Sequence, residues 1–514
     1  MRRPVLIVGL VGVLALSACA GQYTDDEVRA ANGISQTQPV ATGTTTVDTG
    51  APAQQAIGRP ATAPVAAADP AAPVATQAPA GVIKPAKPGK QASTASTPAK
   101  PTTTSADSAV STPGQAGPIV VASVGNYSGP AGAAQAGIPR GVQTWAAATN
   151  ATGGLFGRKV QVIVVDDGGD PARYASAVRD LVENRGAIAF VGNGASLSMK
   201  GGISYLNSKG VPVIGTDCSV PQWFDNPGFF PQCPGFETQV VNVIRAGVEV
   251  SGKKRFGYLT CREANACTSQ LPLLTADNVH SVGADLVYSA TISLTQVDFT
   301  AECRNAQQAK VDLFYVAADP NTLARVARSC SRQGYNPQYT QLSITTTQDT
   351  AAVEGLDNLI VANTVFPFQG AVSPAITDYT KAFAAYVGGK PGPAEGLGWA
   401  SAKLFQKIAT NAATAQHTLT AASLLAAAKK IHGETLGGLT TALDFTKGHA
   451  NPANCYFVVQ IKGGAWTAPK GPTAQCVKTG AAMTVHQQGM ATALSTPGRV
   501  SRRRRSGPRG RPRS

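Results

Sequence analysis

The sequence predicts an α/β fold of two doubly wound parallel-sheet lobes. Short apolar strands alternate with amphipathic helices. The alternation begins at Ile119, runs to Ile214, and restarts after Gln239. The segment that carries it, from Pro118 to about Lys478, is roughly 360 residues long, more than a single typical core. Strands that alternate with helices of this kind form βαβ units, and such units pair their strands in parallel.

In the first run, residues 119–124 form an apolar strand closed by Gly125, and a helix covers about 140–149. Residues 160–165 read Val-Gln-Val-Ile-Val-Val, a strand that ends in Asp166-Asp167. Pro171 opens a helix through Asn184, because proline is tolerated in a first helical turn. A strand at 187–191, a helix at about 199–209 and a strand at 211–214 complete this run. The second run has a helix from Gln239 through Val250, strands at 255–260, 286–291 and 313–317, and helices at about 269–282 and 321–333. Helices near 375–387, 397–413 and 420–430 are expected to return to the first lobe, and the strand 455–461 to the second. That divides the domain into lobe 1, about 118–238 plus 365–447, and lobe 2, about 239–364 plus 448–478.

The ends of the chain are of another kind. Arg2 and Arg3 precede an apolar run from Val5 to Leu16, which closes on Leu16-Ser17-Ala18-Cys19. This is the layout of an export signal over residues 1–18. Twelve apolar residues fall short of the roughly 20 that span a bilayer. The run resembles a bacterial lipobox, which implies that Cys19 becomes a lipidated N-terminus holding the protein outside the cytoplasm on the cell membrane. Residues 19–117 are dominated by Ala, Pro, Thr, Ser and Gln, as in Lys84-Pro85-Ala86-Lys87-Pro88. Such a segment buries too little apolar surface to offset its ordering entropy and is expected to be a disordered, extended tether. Residues 479–514 carry a basic block, Arg502 to Arg505 with Arg509, Arg511 and Arg513 among Gly, Pro and Ser. Much of the formal +15 charge lies there, so it says little about the folded part. An exported chain without aromatic interleaving is not expected to bind nucleic acid.

Of nine Cys, eight follow Cys19: Cys218, Cys233, Cys261, Cys267, Cys303, Cys330, Cys455 and Cys476. An even count on an exported chain implies disulfides. Eight Cys allow 105 connectivities; nearest-neighbour pairing, 218–233, 261–267, 303–330 and 455–476, is the expectation adopted. There is no CxxC or HxxxH spacing and the five His are scattered, so no metal and no cofactor is expected.

Ligands of open parallel sheets sit beyond the carboxyl ends of the strands. The segments there are Tyr127-Ser128-Gly129-Pro130, Gly192-Asn193-Gly194-Ala195-Ser196 and Gly215-Thr216-Asp217-Cys218-Ser219. They are rich in Gly and hydroxyls. Backbone N–H groups with Ser hydroxyls at helix starts can form a pocket for a carboxylate, although plain β–α loops have the same composition.

The lipobox, Ser128-Gly129-Pro130, the run from Asn150 to Lys159 (NATGGLFGRK), Phe190-Val191-Gly192-Asn193 and Gly210-Val211-Pro212-Val213-Ile214 together resemble the leucine-binding-like substrate-binding lipoproteins of branched-chain amino-acid-type ABC transporters. The resemblance covers most of residues 118–478. It implies the type I periplasmic-binding-protein fold, two lobes joined by a three-crossover hinge that close on a ligand. It also implies ABC transporter permease subunits as partners. The family's carboxylate-binding serine falls on Ser196, and its backbone-plus-hydroxyl pair on Asp217 and Ser219. Ser128 follows the first strand. Where the family places aromatic side chains, this chain has Ala136, Asn265 and Asp319; where it places an acid for the ligand's ammonium, Ser343 stands. Asp319 either supplies a negative charge to the ligand or caps the helix near Asn321. Trp223 either replaces an aromatic wall or belongs to the core.

The expectation is an extracytoplasmic solute-binding lipoprotein that captures a small polar carboxylate-bearing solute, an amino acid or derivative. The alternative is a ligand-sensing or interaction lipoprotein without a transporter. Catalysis is the remaining class: Gly194-Ala195-Ser196-Leu197-Ser198 nears the nucleophile-elbow pattern but lacks its last Gly, and nothing marks Asp319 and His449 as partners of Ser196. No phosphate loop or dinucleotide fingerprint occurs.

Overall fold

The computed structural model describes residues 117–129, 132–416, 419–451 and 453–477. The export signal, Cys19, the tether up to residue 116 and the basic tail lie outside the described residues.

The first sheet is built from β1 (Ile119–Gly125), β2 (Val160–Asp166), β3 (Ala189–Asn193), β4 (Val213–Thr216) and β5 (Phe229–Phe230), in the order β2-β1-β3-β4-β5 and parallel throughout. The second sheet repeats that order with β6 (Arg255–Cys261), β7 (Asp285–Ile292), β8 (Leu313–Ala317), β9 (Gln338–Leu342) and β10 (Ile360–Asn363), arranged β7-β6-β8-β9-β10. A short hairpin follows, β11 (His432–Glu434) with β12 (Leu443–Asp444). The chain then adds β13 (Cys455–Lys462), β14 (Ala465–Thr467) and β15 (Gln475–Cys476), with β13 antiparallel to β10. The protein is therefore an α/β molecule of two doubly wound lobes. In each sheet the strand order reverses beside the first strand, and the crevice at that reversal opens at the carboxyl ends.

Local chemistry fixes the helices around each sheet. Asp170 caps the helix Pro171–Glu183 by accepting from the N–H groups of Ala172 and Arg173, with proline in the first turn. The helix Phe236–Ser251 packs on the second sheet, where Thr340 Oγ1 donates to the Val243 carbonyl at 2.6 Å. The helices Pro374–Tyr386, Pro393–Gln416 and Ala421–Ala428 return to the first lobe. The long one crosses the helix Gly137–Ala151 at backbone contact. A methyl group on Gly141 would lie 2.1 Å from the Glu395 carbonyl oxygen, and one on Gly398 2.0 Å from that of Ile138. Trp145 stands edge-on to Phe405 beside this crossing and donates its Nε1–H to Gln406 Oε1 at 2.9 Å. Fully buried Phe190 and Ile214 mark the first core, and Phe256 and Phe314 the second; burial of each such side chain stabilises by about 1.5–3 kcal/mol.

The chain passes between the sheets three times: after β5, after β10 and between β12 and β13. Polar side chains tie these passages. Gln232 accepts from the Thr216 N–H and donates to the Thr216 carbonyl, and Asn363 Nδ2 donates to the carbonyls of Val365 and Phe366, both at 2.9 Å.

Disulfides join Cys218 to Cys233, Cys261 to Cys267, Cys303 to Cys330 and Cys455 to Cys476. Some expected elements differ. The helix expected at 269–282 is two pieces, a 3₁₀ turn Leu271–Leu273 and the helix Ala276–Ser281, after a separate one-turn helix Asn265–Thr268, because Pro272 interrupts it and Thr275 starts a fresh cap for the Asn278 N–H. The helix expected at 199–209 is a 3₁₀ turn and a short α-helix, Ile203–Lys209, divided at Gly201-Gly202. The fourth strand lies two residues later than expected, at Val213–Thr216. The helix Thr300–Gln308 and the strands β5, β9, β10 and β14 were not legible as periodic segments.

Candidate functional site

A cavity of about 80 Å³ lies where the carboxyl ends of the two sheets face each other. Asn126 enters it immediately after β1, Ser196 after β3, and Cys218 and Ser219 after β4. From the second sheet come Ala264 and Ala266 after β6, Leu294 after β7, Ala318 after β8 and Ile344 after β9. A second cavity of about 830 Å³, lined among others by Arg140, Arg325, Arg328, Asp349 and Glu395, shares Ala134 with it. Arg140 pairs with Glu395 there, and Arg325 is held by the carbonyls of Leu294 and Gln296.

The first lobe's wall is organised by one carboxylate. Asp217, 2% exposed, accepts from the Ser196 N–H at 3.0 Å through Oδ2. Its Oδ1 accepts from the Ser219 N–H at 3.0 Å, the Ser219 hydroxyl at 2.7 Å and the Trp223 indole N–H at 2.7 Å. Burial pushes the Asp217 pKa above the usual carboxylate range, against the opposing effect of the donors from Ser219, Trp223 and Ser196. The Asp217 N–H donates to the Asn193 carbonyl. Cys218 holds a left-handed backbone, φ 63°, and its bridge to Cys233 fixes the loop.

This arrangement corrects several expectations. The Ser196 N–H and both donors of Ser219 hold the side chain of Asp217, the Ser196 hydroxyl accepts from Gln135, and the Asp217 N–H donates to the Asn193 carbonyl. Ser196 and Ser219 line the cavity; Asp217 stands behind them. Ser128 is exposed and outside the cavity. It donates to Asp166, whose pKa burial would raise but whose bonds from Ser128, Gly168 and Tyr127 bring it below the usual value. Asn265 is also outside: it is the first residue of a one-turn helix, and its neighbours Ala264 and Ala266 face the cavity instead. Asp319 lines the edge of the cavity and caps the helix Pro320–Ser331 by accepting from the Asn321 and Thr322 N–H groups, so its carboxylate is engaged in the cap. Trp223 is fully buried against Phe229 and is core.

Two residues that no sequence motif singled out carry the strongest ligand signal. Asn126 is 1% exposed, and neither its Nδ2 nor its Oδ1 has a hydrogen-bond partner among the described residues. Gln135, 5% exposed, donates to Ser196 Oγ at 3.2 Å while its Oε1 is unpartnered. A buried polar atom without a partner costs about 1–3 kcal/mol, and the two residues that carry these three atoms line the cavity. The position of Asn126, next after the first strand, was the available clue.

Residues 118–465 match the family model of the periplasmic binding proteins, and the chain belongs to that family. Its fold is that of the type I, leucine-binding-like substrate-binding proteins, a family of binding proteins and not of enzymes. Solved structures with this fold include a fatty acid ABC transporter substrate-binding protein from Thermomonospora curvata, 17% identical, covering 70% of this chain and 93% of that one with a TM-score of 0.61. A solute-binding protein of an R. palustris ABC transporter in complex with benzoate is 16% identical, with coverage of 70% and 98% and a TM-score of 0.57. The leucine-binding protein LivK of Thermotoga maritima is 15% identical, with coverage of 68% and 97% and a TM-score of 0.56. No curated protein matches the sequence.

Proposed function

We propose that this chain is the extracytoplasmic solute-binding lipoprotein of an ABC-type uptake system. On this reading Cys19 carries the lipid anchor, residues 19–117 tether the domain above the cell membrane, and permease subunits receive the solute. Lobe 1 spans about 118–238 plus 365–447 and lobe 2 about 239–364 plus 448–478. The two close on a small solute at the carboxyl ends of their sheets.

The observation that carries the reading is the cavity itself. It is lined from both lobes at the strand-order reversal of each, and it contains the unpartnered amide of Asn126. The expected polar, carboxylate-bearing solute is revised here to one with an apolar body. Ala264, Ala266, Leu294, Ala318, Leu342 and Ile344 give the second lobe's wall its hydrocarbon, and its polar members are engaged within the protein: Gln270 with Ala266 and Tyr315, Thr345 with Leu342, and Asp319 in its helix cap. Two disulfides, Cys218–Cys233 and Cys261–Cys267, place a sulfur on the cavity wall, which lowers the ordering cost of binding.

A thermal-shift screen of the mature chain, purified oxidised, tests this reading. The panel holds amino acids, amides, small carboxylates, alcohols, polyamines and sugars. A true ligand at 100 times its Kd adds about 2.7 kcal/mol of stability. A saturable shift with a small solute is the expected result. No shift across the panel contradicts solute capture and favours an interaction lipoprotein.

A further inference from the structure

We infer that the solute presents to Asn126 and Gln135 an uncharged head that carries both a hydrogen-bond donor and an acceptor, of which a primary carboxamide is the simplest. The inference rests on the solute-binding reading above and names the class of solute.

Three donors on the first lobe's wall are already taken. The Ser196 N–H and the Ser219 N–H and hydroxyl all point at Asp217. A ligand carboxylate would therefore meet a wall whose own buried group is a carboxylate, and like charges in a poorly hydrated site disfavour each other. The unpartnered atoms say what is wanted instead. Asn126 Oδ1 and Gln135 Oε1 are acceptors, and Asn126 Nδ2 is a donor. A carboxylate only accepts, so it would leave both acceptors bare. An ammonium only donates, so it would leave Asn126 Nδ2 bare. A carboxamide offers two N–H groups and one carbonyl, the complement of the three atoms. Its hydrocarbon part then lies against Ala266, Ala318, Leu342 and Ile344 of the facing wall.

The test is a matched four-carbon series on the full mature chain at neutral pH: butanamide, butanol, butanoate and butylamine, each titrated calorimetrically. Butanamide is expected to bind at least tenfold tighter than butanoate and butylamine, with butanol between. Tighter binding of butanoate or of butylamine overturns the inference and leaves the solute-binding reading standing. Silence from all four also overturns it, and the broader screen then decides separately whether any solute is captured.

Asn126→Leu provides a second readout. Replacing an unpartnered buried amide by hydrocarbon of like size should raise the Tm of the unliganded protein while butanamide affinity falls at least tenfold. A lower Tm with unchanged butanamide affinity would show that Asn126 is a structural residue, and would overturn the inference.

Discussion

The two walls of the cleft are built on the same strand order and by opposite chemistry. On the first lobe the loops after β3 and β4 converge on the buried carboxylate of Asp217, which gathers four donors from Ser196, Ser219 and Trp223. On the second lobe the corresponding loops present Ala264, Ala266, Ala318 and Ile344. On the first wall Asp217 satisfies the donors of the β3 and β4 loops while Asn126 and Gln135 keep three atoms unpartnered among the described residues; the facing wall is mainly small and apolar. A doubly wound sheet thus fixes where a ligand sits, whereas the loop side chains fix what it is.

The contrast is broken most severely at Asp217. Asp217→Ala leaves the Ser196 and Ser219 N–H groups and the Trp223 indole without their acceptor. Each buried orphan costs about 1–3 kcal/mol, so a loss of about 4 kcal/mol is expected from urea unfolding. A loss below about 1 kcal/mol would mean that the carboxylate does not organise this wall. Next comes the bridge that pins the same loop. Cys218→Ala with Cys233→Ala opens a loop with a sequence separation of 15, which should lower stability by about 3 kcal/mol. Unchanged stability in the double variant would show that the disulfide does not hold this wall.

Titration sharpens the comparison, since only the first wall holds a buried acid. The folded state raises the Asp217 pKa above its unfolded value of about 4. The folded chain thus binds more protons through this group than the unfolded one. Its contribution falls as pH rises from about 4 through the folded pKa, by about 1.4 kcal/mol for each pH unit between the two values. The stability of wild type relative to Asp217→Asn should therefore decline over that window. A relative stability that grows with pH would contradict the assignment. The smallest effect is expected at Asp319 on the second lobe. As a helix cap, its change to Ala should cost about 1 kcal/mol, while ligand affinity moves less than about threefold. A larger loss of affinity would return Asp319 to the ligand.

Much of the fold was legible because its signals are local. Alternating apolar runs, Pro171 at a helix start and the restart after Gln239 are each read within a dozen residues or so, and they placed β1 to β4 of the first sheet and β6 to β8 of the second. The shortest strands were not legible: β5 is two residues long, and β14 and β15 are strands only because β13 lies beside them. The site was legible as a place and not as a set of contacts. Ser196 and Ser219 do line the cavity, but a sequence cannot show that a neighbouring carboxylate takes their donors. Nor could it show that the side chain of Asn126, unremarkable beside Tyr127 and Ser128, would be buried with no partner among the described residues while Ser128 turned outward to Asp166. Asn265 illustrates the same limit: one residue either way on a single helical turn separates a wall residue from a bystander.

The most direct test of solute capture between these walls is a titration of the strongest-stabilising solute into wild type and Ala266→Phe side by side. Ala266 faces the cavity from the second lobe and is partly exposed, so a phenyl group fills the ligand's space without displacing core. A solute held in the cleft predicts an unchanged Tm for the unliganded variant and an affinity at least 100-fold weaker, about 2.8 kcal/mol. Equal affinity in the two proteins would contradict capture there, because the solute would then be bound somewhere other than the cleft.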